Sequence, residues 1–594
     1  TMWSGSLSLA WDRFVTHSIS EQQLAAVDAL PQLEVHDPDT IRLLVSLLPS
    51  AKAALPMLHA TIGVALFLLV KRLLDRRYAV IASLFLALDP YYLGLSRVLH
   101  IDALTSGFML IAIVSVLIYA RRGSRLYLVF SGMAAGLAAL NKSYGALVAP
   151  AVGLSLAAAH AAGPIARDDQ GKGLAPSRRL LWLLRDLILW SVVAIGAFVA
   201  LWPSMWVAPL DTLRGTIGLS LEYATQPGDA TTSFFRGAVA VEPDATFYPT
   251  AMFFRTTPLL LVGCLFALVG ALVRGRARGE GGENRAEGAR RSVTVALLAY
   301  GALYTAIITL SKKKFDRYVL PAILSADLLA AIGWASALDL ILRAVGLRGD
   351  QRASVRKAVS AILGSLLVLL QAGALLRPLY PAHYLAYYNP WAGGPSKAVE
   401  TVPVGWGEGV EEVAEYLKEK PDAEDLSVAT WAVAGIAPEF PGEVTKLAEE
   451  TIPDADYVLL YLGDVQSQTP LAGKFYGVQK PEYVVELNGI EYAWLYPNTY
   501  YEELNEEIAE AAEPEDAIIL NAHSAFDRHY QGELLWSVVD GATEEQVAEQ
   551  LDAASQDGKR FFYLEYPDAD GVSKKLIRRQ LAQNGIFLWE RPFV

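Results

Sequence analysis

The chain has 594 residues, of which 53% are hydrophobic and 19% are charged, and its formal net charge is −13. A soluble protein usually has a charged fraction of roughly 25%, so this composition argues against a chain that is soluble throughout. Asp and Glu are concentrated in the last third, and this acidity argues against nucleic-acid binding. The single cysteine, Cys264, excludes a disulfide bond within the chain.

The first two thirds of the chain contain repeated apolar runs long enough to span a membrane. We predict about ten transmembrane helices from these runs. The runs lie at approximately 52–70, 78–94, 101–120, 126–141, 144–160, 180–202, 251–273, 292–310, 319–341 and 358–376. The predicted fold is a polytopic α-helical membrane protein with a C-terminal extracytoplasmic α/β domain.

Basic loops between the runs determine the predicted orientation. Every second loop between the predicted spans is rich in Lys and Arg, so these loops all lie on the same side of the membrane, and the positive-inside rule places that side in the cytoplasm. They are Lys71–Arg77, Arg121–Arg125, Arg167–Arg185, Arg274–Arg291 and Arg343–Lys357. The same parity places residues 1–50, Pro203–Thr250 and everything after Arg377 outside, so we predict a multi-pass plasma-membrane protein. Because ten spans with an outer N-terminus is unusual, we also expect an eleventh helix ahead of Thr1.

Three regions are predicted along the chain. Residues 1–51 would be part of a first outer loop with juxtamembrane helices, and residues 52–376 would form the transmembrane domain. Residues 377–594 would form the acidic outer domain, with two candidate halves at about 400–512 and 513–594.

The outer domain has the pattern of a soluble α/β protein. Amphipathic helices are predicted at Val410–Lys418 and Glu502–Ala512. Strands are predicted at Tyr457–Leu462, Tyr483–Leu487, Tyr492–Tyr496, Ala517–Asn521 and Phe561–Tyr566. His523, Asp527, His529 and Tyr530 lie close together in sequence, and we interpret them as part of a surface helix.

Charged residues at the outer ends of the spans require an explanation, because a charge at bilayer depth costs about 2.5–3.5 kcal/mol. Arg97, His100 and Asp102 form one group, and Lys142 lies between two short runs. The segment Lys312–Arg317 places cations on the predicted outer side, against the positive-inside pattern. Such cations suit an anion at the membrane face, for example a lipid phosphate. Alternatively, the cations of Lys312–Arg317 balance the acidic domain or cap helix ends. The alternative for Arg97, His100 and Asp102 is a structural ion-pair cluster.

Aromatic residues are frequent in the long loop Pro203–Thr250. Outer-face aromatics such as Trp206 commonly anchor a protein at the membrane interface. Interleaved with Glu222, Glu242 and Asp244, they could instead line a sugar site, because pyranose faces stack on aromatic rings. The sequence leaves both interpretations open.

Several short motifs, in their order and membrane placement, resemble those of the GT-C membrane glycosyltransferases of the protein O-mannosyltransferase and aminoarabinose-transferase type. The motifs are Thr1-Met2-Trp3-Ser4-Gly5, the block from Leu88-Asp89-Pro90 to Asp102, Gly136–Lys142, Leu201–Trp206, Lys314–Pro321, His383–Pro390 and Gly405–Gly409.

The resemblance implies an inverting sugar transfer at the outer membrane face. The donor would be a sugar linked to polyprenyl phosphate, and cations would stabilise the charge that develops on the departing lipid phosphate. A carboxylate would accept the proton of the acceptor hydroxyl. The family places this base directly after its first transmembrane helix, which is expected ahead of Thr1. Asp102 does not match that position, so no catalytic residue is assigned.

From the residues and the resemblance together we predict two sets of binding residues. The donor phosphate would be bound by Lys142, Lys312, Lys313, Lys314, Arg317 and Tyr318. The predicted substrate-binding residues are Arg97, His100, Asp102, Trp206 and Glu222.

The predicted function is a polyprenyl-phosphate-sugar-dependent glycosyltransferase that acts on a protein or lipid acceptor. No cofactor is expected, and no cluster has the spacing of metal ligands. Partners would be the lipid-linked sugar, the acceptor, membrane lipids and a membrane protein bound through the acidic domain. A non-catalytic membrane scaffold of the same architecture is the alternative, and a transporter is a third.

Overall fold

The computed structural model describes residues 52–162 apart from 99, 175–225, 234–273 apart from 241, 282–344, 353–376 and 383–499 apart from 450. Nearer the C-terminus it describes 516–520, 534–539, 543–554 and 561–564, with isolated residues elsewhere. The motif Thr1-Met2-Trp3-Ser4-Gly5, the predicted boundary at Arg377 and the group His523–Tyr530 lie outside the described residues. The chain forms two compact units, one mainly of Leu47–Glu408 and the other mainly of Gly409–Leu487 and Glu491–Val594.

The described part of the first unit is mainly helical. Its helices are α1 (Ala54–Leu73), α2 (Arg76–Ala87), α3 (Pro90–Arg97), α4 (Asp102–Arg122), α5 (Arg125–Asn141), α6 (Ala149–Ala162), α7 (Pro176–Ala200), α8 (Ser204–Val207), α9 (Pro209–Thr225), α10 (Phe247–Arg255), α11 (Pro258–Val273), α12 (Gly282–Thr309), α13 (Leu320–Ala344), α14 (Ala353–Leu376) and α15 (Gly394–Val399). Strands β1 (Phe234–Phe235) and β2 (Ala238–Val239) form a short antiparallel pair.

Helices lie at each of the predicted apolar runs. Among the described residues, six helices are long and apolar enough to cross a membrane, or up to eight if the bent pairs α2–α3 and α10–α11 each count as one span. Helix α5 and the stretch Ile362–Gly373 of α14 are shorter apolar helices. The described helices are therefore those of a multi-pass membrane protein, whereas the count of ten spans stays a prediction.

Helices α4 and α13 form the centre of the first unit. In the most apolar stretch of each helix, 83% of the α4 residues and 94% of the α13 residues are buried. Such burial is expected for helices that are apolar on every side and enclosed by others. In the most apolar stretch of α7 only 11% of the residues are buried, and apolar side chains such as Val192 and Ile195 are exposed. Exposure of that kind is typical of a helix that faces lipid.

Two sharp bends place charged residues at helix ends. Helices α2 and α3 meet at 59°, where the Asp89 carboxylate accepts a hydrogen bond from the Tyr92 amide as the N-cap of α3 and Pro90 begins the helix. Helices α10 and α11 meet at 114° just before Pro258. Because proline disfavours helical geometry in the residue before it, α10 ends nearby, with Arg255 as its last residue.

Helices α11 and α13 approach each other closely at two glycines. A Cβ atom on Gly333 would lie 1.8 Å from the carbonyl oxygen of Gly263. A Cβ atom on Gly263 would lie 2.7 Å from the Cα of Ala330. Small residues at such a crossing let membrane helices pack backbone to backbone.

We expect the substitution Gly333→Ala to lower the free energy of unfolding by about 1–3 kcal/mol, because α11 must move to accommodate the methyl group. Gly364→Ala in α14 is the matched control, since nothing lies within 4 Å of its added Cβ. Thermal unfolding of both variants in detergent measures the difference. Equal unfolding midpoints would contradict the close packing of α11 on α13.

The second unit contains two sheets. The larger has the strand order β4-β3-β5-β7-β6. Its strands are β3 (Ser427–Thr430), β4 (Glu443–Lys446), β5 (Tyr457–Tyr461), β6 (Tyr483–Leu487) and β7 (Ile490–Pro497). Strand β3 pairs in parallel with β4 and β5, and β5 pairs antiparallel with β7. The smaller sheet is parallel, with β8 (Ala517–Leu520) between β9 (Leu535–Val538) and β10 (Phe561–Leu564).

The strands predicted in the second unit are confirmed within a residue or two. The helix predicted at Val410–Lys418 is also confirmed as α16 (Val410–Lys418), and further helices are α17 (Val433–Ile436), α18 (Leu462–Gln466), α19 (Pro470–Phe475) and α20 (Glu544–Ala554). Strands β3, β4 and β9 were not predicted. Strand β3 is wholly buried, yet its residues Ser427 to Thr430 include only one branched apolar side chain, so they carry little sequence signal.

Candidate functional site

Asp102 lies at the centre of the candidate site. It is the first residue of α4, where a carboxylate is favoured by the helix dipole, and it has no exposed surface. The Ser106 hydroxyl donates to its backbone oxygen at 2.7 Å. An ionised side chain this deeply buried is expected to be paired, because desolvation would otherwise make it very costly.

Four groups from three segments of the chain converge on the Asp102 carboxylate. The Lys142 ammonium donates a hydrogen bond to Oδ1 at 2.9 Å, and the Tyr144 hydroxyl donates to the same oxygen at 2.6 Å. The Arg317 Nε lies 3.7 Å from Oδ2, and the His100 Nδ1 is in close contact with the same oxygen. The structure thus brings together Lys142 and Arg317, which are far apart in sequence and were both predicted to bind phosphate.

The cations of this cluster remain accessible although the carboxylate does not. The side chains of Lys142, Arg317 and His100 are 20%, 19% and 29% exposed, against 0% for Asp102. Two basic side chains, Lys142 and Arg317, share one carboxylate, so the accessible side of the cluster is positive when both are protonated. An anion can therefore reach the cations from that side.

The guanidinium of Arg317 is enclosed by aromatic rings. Its Cζ lies 3.8 Å from the ring centroid of Phe315, 5.3 Å from that of Tyr318 and 5.4 Å from that of Trp406. Trp406 also meets the His100 ring edge to face, at 5.7 Å between centroids. Cation–π contacts of this kind hold a charged group in place without neutralising it.

Lys142 is held between an anion and aromatic rings. Its ammonium lies 4.7 Å from the ring centroid of Tyr318 and 5.3 Å from that of Tyr144. Burial lowers the pKa of Lys142, Asp102 opposes this effect and Arg317 adds to it. Because burial and Arg317 both disfavour the charged ammonium, a second anion nearby would stabilise it further.

A buried ion pair supports the turn that carries Arg317. Arg317 belongs to the 3₁₀ turn Asp316–Val319. Arg255 Nε and Nη2 both donate to Asp316 Oδ2, at 3.0 and 2.7 Å, and Nη1 donates to the Leu385 carbonyl at 2.5 Å. The Tyr388 hydroxyphenyl ring packs 4.3 Å from the Arg255 Cζ. The turn is thereby fixed from the side of α10.

The lysines that precede Arg317 form a second cationic group. Lys312 pairs with Glu242 at 2.8 Å, and the Lys314 ammonium donates to the Ser311 carbonyl at 2.7 Å. Burial lowers the pKa of Lys314, while Glu242 and Asp244 act in the opposite direction. Lys313 lies 5.7 Å from the ring centroid of Phe315. We call Ser311–Lys314 the lysine loop.

The remaining predicted residues lie elsewhere. Arg97 lies over the Tyr384 ring, 5.2 Å from its centroid. Trp206 is 61% exposed, and its indole donates to the Val199 carbonyl at 2.7 Å. Glu222 is exposed on α9. In the contacts that the structure gives for the described residues, neither Trp206 nor Glu222 joins the Asp102 cluster.

Three residues of the site were not predicted as binding residues. Tyr144 lies two residues after Lys142. Trp406 is flanked in sequence by Gly405 and Gly407, which both have positive φ. Arg255 is a cation inside a predicted apolar run, a position that charge avoids unless it is paired. These signals are visible in the sequence, but the partners of the three residues are not.

Comparison with known proteins agrees with the motifs. Residues 51–168 match the sequence model of the family described as dolichyl-phosphate-mannose-protein mannosyltransferase. This segment contains Arg97, His100, Asp102 and Lys142, but not Arg317. The chain thus resembles membrane glycosyltransferases of the protein O-mannosyltransferase type, which confirms the resemblance inferred from its motifs. No match is found among curated proteins.

Several solved structures are also similar to the chain at low identity. ArnT from Cupriavidus metallidurans in the apo state is 14% identical, with 77% of this chain and 87% of that chain covered and a TM-score of 0.36. The Archaeoglobus fulgidus oligosaccharyltransferase in the apo form is 14% identical, with 90% and 75% covered and a TM-score of 0.35. The arabinofuranosyltransferase AftD from Mycobacteria is 14% identical, with 70% of this chain and 31% of that chain covered and a TM-score of 0.31.

Proposed function

We propose that the chain transfers a sugar from a polyprenyl-phosphate-linked donor to a protein or lipid acceptor at the outer face of the plasma membrane. The observation that carries the proposal is the Asp102 cluster. A wholly buried carboxylate gathers Lys142 and Arg317, whose side chains are still about one fifth exposed. The family match at residues 51–168 supports sugar transfer as the class of reaction.

The cluster has the chemistry needed to stabilise a departing lipid phosphate. As the bond from the sugar carbon to the phosphate oxygen breaks, negative charge grows on the phosphate. Arg317 can offer a planar fork of N–H donors and Lys142 a point charge. Because both are held in place before the reaction, they need little reorganisation, and their partial enclosure strengthens the attraction.

Asp102 is a positioning residue in this proposal. Its Oδ1 accepts hydrogen bonds from Lys142 and Tyr144, its Oδ2 faces Arg317 and His100, and neither oxygen has access to solvent. A general base needs a free lone pair directed at the acceptor hydroxyl. We therefore assign Asp102 the role of orienting the cations, and we assign the base to none of the residues in this cluster.

The lysine loop would contribute at longer range. Lys312 and Lys314 lie beside Glu242 and Asp244 rather than Asp102, so they act mainly through the local potential. A cationic segment at a membrane surface attracts anionic headgroups. It would raise the local concentration of the donor near the Asp102 cluster.

Binding of polyprenyl phosphate tests the phosphate site without knowledge of the sugar. The full chain in detergent should bind polyprenyl phosphate at least about 100-fold more tightly than the polyprenol of equal length, a difference of about 2.7 kcal/mol. Isothermal titration with both lipids gives the two constants. Equal affinities would show that the chain recognises the hydrocarbon alone and would refute the phosphate site.

Transfer itself is tested in vesicles of known lipid composition. Polyprenyl-phosphate-linked sugars and the corresponding nucleotide sugars are supplied separately, and the transfer of labelled sugar to acceptor peptides and lipids is measured. We expect transfer only from lipid-linked donors. Transfer from a nucleotide sugar with no consumption of lipid-linked sugar would overturn the proposal.

A further inference from the structure

Helix α9 gathers four of its five exposed leucine and isoleucine side chains on one side, while the fifth, Leu219, lies on the opposite side. Leu210, Leu213, Ile217 and Leu221 are 66%, 40%, 50% and 59% exposed. At 100° per residue these positions fall within a sector of about 80° on the helix surface. We call these four residues the leucine stripe.

The side of α9 that packs against the protein is polar. Thr212, Thr216 and Ser220 are half-buried and follow one another at four-residue spacing. The Thr216 hydroxyl donates to the Thr212 carbonyl at 2.8 Å, and the Ser220 hydroxyl donates to the Thr216 carbonyl at 2.7 Å. Their hydrogen bonds are thus made within the helix, and this side needs no water.

The charged side chains of α9 lie on a third side. Asp211 and Glu222 project roughly opposite the leucine stripe, and Arg214 lies at its edge. The side chains of Asp211 and Arg214 are 83% and 80% exposed. A helix in water buries its apolar side and exposes its polar side. Here the side with most of the apolar side chains is exposed, the arrangement expected of a helix that meets an apolar medium.

Helix α8 links α9 to the exposed apolar surface of α7. Helix α8 follows the end of α7, and Trp206 in α8 donates its indole hydrogen to Val199 of α7 at 2.7 Å. Val192 and Ile195 of α7 are each 62% exposed, as is typical of side chains that face lipid. Trp206, itself 61% exposed, has the position of a residue that marks the membrane–water interface.

We propose that α8 and α9 lie in the plane of the membrane surface, with the leucine stripe inserted between lipid chains. Amphipathic helices bind bilayers in this way, with arginine at the edge of the apolar side near the headgroups. The three sides of α9 then match three surroundings: lipid below, protein beside it, and water above. The occupant of the leucine stripe is the bilayer.

The in-plane helix also fixes the depth of the lysine loop. The Ala224 carbonyl, at the end of α9, accepts a hydrogen bond from the Lys312 amide at 3.0 Å, and the Ser311 hydroxyl lies 3.4 Å from the same oxygen. The loop is therefore joined to a helix at the membrane surface. This second step rests on the proposed function, because it sets Lys312–Lys314 at the level of the lipid-linked phosphate.

Spin labels measure the depth of each side of α9. In the Cys264→Ser background, which removes the single native cysteine, nitroxide-labelled cysteines replace Leu213, Ile217 and Leu221 and, for comparison, Asp211, Leu219 and Glu222. The full chain is placed in phosphatidylethanolamine–phosphatidylglycerol vesicles. We expect the stripe positions to be relaxed more by oxygen, which concentrates in lipid, and the comparison positions more by a water-soluble nickel chelate. Stripe labels shielded from both reagents, as by a protein partner or a second copy, would overturn the proposal, as would preference for nickel.

A pair of variants tests the effect on lipid capture. Leu219 is 56% exposed, similar to Ile217 at 50%, but lies outside the leucine stripe. Ile217→Asp should weaken binding of long-chain polyprenyl phosphate in vesicles about tenfold, while Leu219→Asp should not. Neither should change the binding of a short, water-soluble isoprenyl phosphate. Unchanged long-chain binding by Ile217→Asp would refute the depth role, whereas failure of the parent chain to bind either lipid would refute the proposed function and leave the spin-label result standing.

Discussion

Replacement of Arg317 by alanine should reduce sugar transfer by at least about 10²–10³-fold while the protein remains folded. Removal of a single preorganised donor to a developing anion has an effect of this size in other enzymes. The fold should survive because Asp102 keeps its hydrogen bonds with Lys142 at 2.9 Å and Tyr144 at 2.6 Å. Arg317 is also partly exposed, so its removal leaves no large cavity.

Arg236→Ala is the matched control for this experiment. Arg236 lies over the Phe235 ring at 4.8 Å and pairs with Asp244 at 3.4 Å, so it has the same kinds of contact as Arg317 outside the Asp102 cluster. Arg317→Lys retains the charge but loses the planar fork, and its rate should lie between those of the parent and the alanine variant. Undiminished transfer by a well-expressed Arg317→Ala variant would refute the phosphate assignment.

The positions of the membrane helices were predictable from sequence because the bilayer imposes a length and an apolar composition on each one. That Lys142, Asp102 and Arg317 have charged partners was also predictable, since charge at bilayer depth persists only where it is paired or used. Both inferences depend on local sequence. They needed no knowledge of which helices are neighbours.

The assembly of the site was not predictable, because it depends on contacts between distant segments. Lys142 and Arg317 meet at Asp102, whereas Lys312 and Lys314, only a few residues from Arg317, face Glu242 and Asp244. Proximity in sequence therefore did not indicate which of these cations meet at Asp102, and the predicted role of the lysines in phosphate binding stays a prediction. The direction of a side chain at the end of a loop is set by its tertiary partners.

The leucine stripe shows a related limit. The sequence left Trp206 and its loop open between an interface anchor and a sugar site. The structure adds burial, which separates the polar packed side of α9 from its apolar exposed side. Sequence periodicity alone would place the apolar side against the protein, since that is the usual arrangement in water.

Replacement of Arg255 by methionine should lower the free energy of unfolding by about 3–5 kcal/mol, because it leaves Asp316 buried without its partner. Arg255 is 1% exposed and supplies both hydrogen bonds to Asp316 Oδ2, at 3.0 and 2.7 Å. The variant should also bind polyprenyl phosphate more weakly, since Asp316 begins the turn that carries Arg317. Thermal unfolding in detergent measures the stability change, and the reaction of a fluorogenic maleimide with the single cysteine Cys264 reports the unfolding.

The double variant Arg255→Met/Asp316→Leu separates the burial of an unpaired charge from the loss of packing. It should recover most of the stability lost by Arg255→Met, because no charge is then left without a partner. Arg214→Ala is the surface control, because Arg214 is 80% exposed and its partner Asp211 lies 4.0 Å away. This substitution should lower the free energy of unfolding by less than about 1 kcal/mol. If the double variant is as unstable as Arg255→Met, the bonds from Arg255 to the Leu385 carbonyl and the Tyr388 ring, rather than its charge, hold the turn in place.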